Sequence, residues 1–209
     1  MKSESAGLSA FVVDPDFSIW LPALRPADLE GGDLDLEAWS AKMAGYFVTD
    51  GDAPNSEYYQ RTRAKLTIAG TQDFPAFDPY WQDKWIHFPD SADTALPVMI
   101  SDYDADDNGS DDELRYYLRV GDPLVIEEPI VEEIHTPLGR GLRAMAYTPL
   151  HEQGQVNICA TLAYVWRVQW PDGDLSIVRL WAMYDPTRIL KAADDIHNLA
   201  MTLRLREDD

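Results

Sequence analysis

The chain has 209 residues, 45% hydrophobic and 11% aromatic, enough for one sizeable core and far more apolar than a disordered chain. Its 37 acidic side chains against 17 basic ones leave a formal net charge of −20. Such a field repels phosphate backbones and anionic lipid, which argues against nucleic-acid or membrane-surface binding, and attracts a basic protein partner or divalent cations.

The charge is unevenly placed. Residues 1–135 hold 28 acids and 9 bases, whereas residues 136–209 hold 9 acids and 8 bases. The single cysteine, Cys159, excludes an internal disulfide framework. No apolar run reaches the ~18–20 residues that a membrane-spanning helix needs. Residues 1–7 lack the apolar stretch of a secretory leader, so the expected location is the cytoplasm.

In chain order, Ala10 to Leu21 reads as a strand interrupted by Asp14-Pro15-Asp16 and closed by Pro22 and Pro26. Residues 34–47 read as a helix, with Leu36, Trp39, Met43 and Phe47 on one stripe and Asp33 or Asp35 as cap. A second helix is expected from Ser56 to about Ile68. The aromatic, proline-rich stretch from Gly70 to Asp83 reads as an ordered loop over apolar surface. Two short strands follow, Lys84–Phe88 and Leu96–Tyr103. Next comes an acidic run in which Ser110 and Glu113 have capping-box spacing for a helix from Asp111 to about Val120.

The last third predicts a meander. Leu124–Ile134 reads as an edge strand broken by Pro129, followed by strands Gly139–Thr148 and Asn157–Trp170. Pro171-Asp172-Gly173-Asp174 signals a tight turn into Leu175–Tyr184, whose apolar residues fall on both faces. Asp185 and Pro186 then start a helix with Ile189, Ala193, Ile196, Ala200 and Leu203 on one stripe, and Asp194, Asp195 and His197 toward the other side.

One local pattern points to chemistry. Asp104-Ala105-Asp106-Asp107-Asn108-Gly109 has the spacing that opens a calcium loop, with oxygen donors at alternate positions and glycine at the sixth for the sharp turn. Asp104, Asp106, Asn108 and Asp112 are the candidate ligands. The twelfth position, where a bidentate glutamate belongs, is Arg115. The histidines His87, His135, His151 and His197 show no metal-ligand spacing, and Glu132-Glu133-Ile134-His135 reads as a solvated strand edge. Cys159 reads as a small buried hydrophobe, and Gly139-Arg140-Gly141 as a turn. Trp166, Trp170 and Trp181 are expected to cluster across the hairpin. No nucleophile elbow, phosphate loop or dinucleotide fingerprint is present.

The N-terminal strand ending in Ile19-Trp20-Leu21-Pro22, the segment Thr136–Arg143, the long meander and the closing helix Ala193–Leu205 together resemble α/β/α sandwiches of the PsbP and Ran-binding Mog type. In particular they resemble actinobacterial proteins of similar layout, over about the last 75 residues. That resemblance implies an accessory or binding protein with no shared catalytic site.

The fold expected is therefore one α+β domain, an antiparallel sheet with helices packed on it and the C-terminal helix closing it. The function expected is a non-enzymatic accessory or interaction module with no catalytic or cofactor-binding residues, whose acidic surface faces a basic partner. The alternatives are calcium binding by the Asp-rich loop, or an enzyme whose site is scattered in sequence.

Overall fold

The computed structural model describes residues 11–22, 56–71, 81–90, 93–106, 109–152 and 155–206, together with helical positions Ala38, Ser40, Ala41 and Ala44. Its elements are β1 (Phe11–Val12), β2 (Trp20–Pro22), α1 (Glu57–Thr71), β3 (Trp81–His87), β4 (Leu96–Asp104), α2 (Asp111–Tyr117) and β5 (Glu132–Thr136). They continue with β6 (Gly139–Glu152), β7 (Gln155–Gln169), β8 (Leu175–Tyr184), α3 (Pro186–Thr202) and β9 (Arg204–Leu205).

Seven strands form one sheet in the order β2-β3-β4-β8-β7-β6-β5, with every pairing antiparallel. It consists of two meanders, β2–β4 and β5–β8, fused where β4 pairs with β8. The α+β class, the C-terminal meander and the closing helix packed on the sheet all stand as the sequence predicts. The first strand differs. Asp16 accepts the Ser18 N–H on its side chain and the Ile19 and Trp20 N–H groups on its carbonyl, turning the chain. As a result β1 leaves for a separate two-stranded sheet with β9.

Strand alternation sorts the core into layers. Leu162, Tyr164, Trp166, Val178 and Leu180 face α3, whose Ile189, Ala192, Ile196, Leu199 and Ala200 pack on them. Leu142, Ala144, Ala163, Val165 and Trp181 face the other way, onto Leu114 and Leu118. Leu66 of α1 and Ala44 join Leu21, Ile86 and Phe88 in a third cluster, and the strand register puts Ile86 on the same face as Met99. Two faces of one sheet are thus covered by helices, which is why β7 and β8 are apolar almost throughout.

The same alternation undoes the expected tryptophan cluster. Trp166 is opposite Val178 on the α3 face, whereas Trp181 is opposite Ala163 and points to the α2 face. Trp170 packs on Phe11 and donates to the Ser176 hydroxyl. The 124–131 segment is also not a strand. Pro129 breaks it, and only the Ile126 N–H reaches the edge of β6, donating to the Tyr147 carbonyl. The Gly139–Gly141 stretch is not the turn itself: Pro137 and Leu138 make it, and all three residues belong to β6, with Gly139 entering the strand at φ 103°.

The end signals hold. Ser56 caps α1 through its hydroxyl, and Gly173, with φ 96°, closes the β7–β8 turn. Asp185 accepts the N–H groups of Thr187 and Arg188 at the start of α3, with Pro186 beside it. Asp185→Ala is expected to cost about 1 kcal/mol by removing the acceptor of the Thr187 N–H, whereas the Arg188 N–H keeps the Asp185 main-chain carbonyl. Equilibrium urea unfolding should show this as a lower midpoint at unchanged slope.

Candidate functional site

Three polar constellations stand out. The first is the Asp-rich loop. Asp104, Asp106 and Asp112 are exposed, and Asn108 lies outside the described residues. Arg167 of β7 reaches into this loop, donating to the carbonyl oxygens of Asp106 at 2.7 Å and Ser110 at 3.0 Å, and to Glu113 at 2.6 Å. Ser110 is the seventh residue of the calcium-type pattern, whose carbonyl would face the ion, and here a guanidinium takes it. Among the described residues no three His, Cys, Asp or Glu side chains converge to hold a metal ion.

Glu113 does not close the capping box. The Ser110 hydroxyl accepts the Asp112 N–H as expected, but the Glu113 carboxylate accepts the Asp106 N–H and pairs with Arg167 instead. Arg140 ties the same helix to the sheet edge, gripping both oxygens of Asp111 and one of Glu133. Its guanidinium, hydrogen-bonded to Asp111 most strongly, holds the Asp111 carboxyl below the usual range. His135 meets Glu133 at 3.1 Å on that exposed edge.

The second constellation lies under α3. His87, at the end of β3, is 1% exposed. Arg188 donates to its Nδ1 at 2.8 Å, and Asp195 stands 2.8 Å from its Nε2. An arginine only donates, so Nδ1 must accept and the imidazole proton sits on Nε2, donating to Asp195. Burial, and then the Arg188 charge, push the imidazole below its ordinary value. Both ring nitrogens are therefore committed, and His87 is a neutral joint between α3 and the sheet rather than an available base. The sequence singled out His87 but had no means of finding Arg188 and Asp195, about a hundred residues away.

The third constellation is a groove of about 430 Å³ between α3 and the 127–132 segment, on the face that α3 only partly covers. Met145 and Tyr147 of β6 and Leu162 and Tyr164 of β7 form its floor. Glu127, Glu128 and Glu132 line one side, and Asp194 of α3 the other, all four exposed. Arg143, opposite Tyr164 in the register, pairs with Glu132 and also donates to Nδ1 of His197 at 3.3 Å. The His197 ring stands over Tyr164, with centroids 5.9 Å apart. Burial pushes the Tyr164 phenol up, so the hydroxyl keeps its proton.

No protein-family model matches the chain, and no curated protein does. Among solved structures it is similar to the "Crystal structure of LpqN involved in cell envelope biogenesis of Mycobacterium tuberculosis". The TM-score is 0.39 and the identity 12%, over 62% of this chain and 73% of that one. A likeness of that size transfers no residue and no activity.

Nothing in the sequence pattern marked the groove. Its residues come from β5, β6, β7, α3 and the 127–130 segment, and each reads locally as an ordinary strand or helix position. No helix among the described residues is long and apolar enough to cross a membrane.

Proposed function

We propose that this chain is a non-enzymatic interaction module that docks a basic, apolar-bearing segment of a partner protein in the groove beside α3. The observation that carries this reading is an apolar floor rimmed by four carboxylates whose one guanidinium, Arg143, is already paired with Glu132. Glu127, Glu128 and Asp194 make no ion pair among the described residues. Apolar surface and unspent negative charge side by side suit a segment that alternates leucine-like and lysine- or arginine-like residues.

The groups in the groove also favour binding over turnover. His197 spends Nδ1 on Arg143, and Tyr164 is held protonated, so neither ring offers the lone pair a general base needs at neutral pH. The acidity of the first 135 residues then has a use beyond solubility, since it draws basic segments toward the groove.

A fluorescein-labelled peptide of alternating lysine and leucine, compared by anisotropy with one of lysine and serine at 0.15 M salt, tests the idea. The leucine peptide should bind at least about tenfold more tightly, from burial of a few apolar side chains. Glu127→Gln/Glu128→Gln/Asp194→Asn should weaken it by a similar factor. Equal binding of both peptides, unchanged in the triple variant, would mean diffuse charge attraction and no docking groove.

A further inference from the structure

The apolar floor of the groove continues past its acidic rim. Strand β8 stops at Tyr184, opposite Ala160, so the β6–β7 hairpin runs on beyond it as a two-stranded ribbon. Alternation keeps Val156 and Ile158 on the face of Leu162 and Tyr164, and both are exposed. On β6, Tyr147 opposite Ala160 and Pro149 opposite Ile158 carry the same surface outward. Leu190 of α3, also exposed, stands three residues before Ala193 and seven before His197, on the same side of the helix. Across the groove Ile126 and Ile130 are exposed as well. Contiguous exposed apolar surface with a polar rim marks an interaction surface.

Resting on the groove being the docking site for a partner segment, we propose that the segment is an amphipathic helix. It lies on β6 and β7 beside α3, as a second helix of that layer, with apolar side chains on the floor and basic ones on both flanks. Main-chain chemistry selects the helix. The floor is made of side chains from a strand face whose own main-chain groups are spent in the ladder beneath. An extended segment lying on it would bury its N–H and C=O groups unpaired, whereas a helix satisfies them internally. The dimensions agree, since the floor from Val156 to Leu162 measures about 20 Å at the usual strand rise, the length of a helix of about thirteen residues. Glu127 and Glu128 on one side and Asp194 on the other are placed to meet lysine or arginine on its two flanks. A second copy of this chain is the poorer occupant, because it brings its own net charge of −20 toward the same carboxylates.

Two labelled peptides of about fourteen residues, capped at both ends and identical in lysine and leucine content, test this. One carries leucine at helical spacing and the other alternates strictly, so both feel the same diffuse charge attraction. By anisotropy the helical pattern should bind at least about fivefold more tightly, and its circular dichroism should gain helical signal when protein is added. Ile158→Thr/Leu190→Gln keeps strand and helix propensity while removing two exposed aliphatic side chains. It should weaken the helical peptide roughly tenfold and leave the unfolding temperature within about 2 °C of wild type. Tighter or equal binding of the alternating peptide, with both above the lysine–serine one, would replace the helix by an extended segment and leave the groove standing. If neither leucine peptide exceeds the lysine–serine one, the groove reading itself fails. Unchanged affinity in the double variant would overturn the seating on the β6–β7 ribbon and with it the helix. Dimerisation of the free protein in sedimentation, abolished by the same variant, would make a second copy the occupant and overturn the inference as well.

Discussion

Arg188→Ala is expected to lower stability by about 3 kcal/mol, the range for removing one partner from a buried charged network. Arg188 is 7% exposed and holds three groups at once, donating to His87 Nδ1, to the His87 carbonyl and to the Thr94 carbonyl. Alanine leaves the two His87 acceptors buried without their donor and frees the more exposed Thr94 carbonyl, and Asp195 then faces an imidazole whose other side has come loose. For a chain of this size the loss corresponds to a fall in melting temperature of roughly 6–12 °C. A change within 2 °C would show that the network contributes little to holding α3 on the sheet. Arg188→Lys should restore little, because a single ammonium cannot span three acceptors set around a planar fork.

The same joint sets a pH dependence whose sign follows from the direction of the His87 shift. Its folded value lies below the ordinary 6.5, so the native state binds fewer protons there than the unfolded chain. The stability it supports is fully present above pH 6.5 and falls as the pH drops from that value toward the folded one. Asp93, whose carboxyl Lys191 holds below its ordinary value, adds its own loss only at lower pH. His87→Gln should flatten the dependence just below pH 6.5 in urea unfolding followed from pH 8 downward. An unchanged slope would assign it to other groups.

The second large effect is expected at Gly141. A Cβ there would stand 2.5 Å from Trp166 Cδ1, 2.6 Å from its Nε1 and 2.7 Å from the Val165 carbonyl oxygen. Trp166 is fully buried and cannot swing away, and Val165 belongs to the backbone of the central ladder. Gly141→Ala is therefore expected to cost about 3 kcal/mol, at the upper end for overpacking. Arg143 lies two residues further along β6, so lysine–leucine peptide binding should weaken as well. Adding Trp166→Phe should recover part of the loss, because the smaller ring vacates the colliding edge. Simple additivity of the two substitutions in unfolding experiments would contradict a direct clash.

Much of the architecture is legible in local chemistry. Asp185-Pro186 starts α3, Gly173 closes the β7–β8 turn, Ser56 caps α1, and the doubly apolar β8 announces a strand covered on both faces. These features depend on residues within a few positions of one another, where spacing carries the information. Capping spacing was less sufficient at Ser110, because Arg167, 54 residues beyond Glu113, claims the carboxylate that would otherwise turn back on its own helix.

Charge shows the division most clearly. The sequence alone determined that the acids concentrate in residues 1–135 and that the last third is nearly neutral. What that split does depends on which strands and helices the fold brings together. Arg140, Arg143, Arg167 and Lys191, all from the last third, pair with Asp111, Glu133, Glu132, Glu113 and Asp93 from the first two-thirds. The groove and the His87 joint belong to the same category. Each depends on strand register and on which flank of α3 meets the sheet, and register is fixed by burial of whole faces rather than by any neighbouring residue.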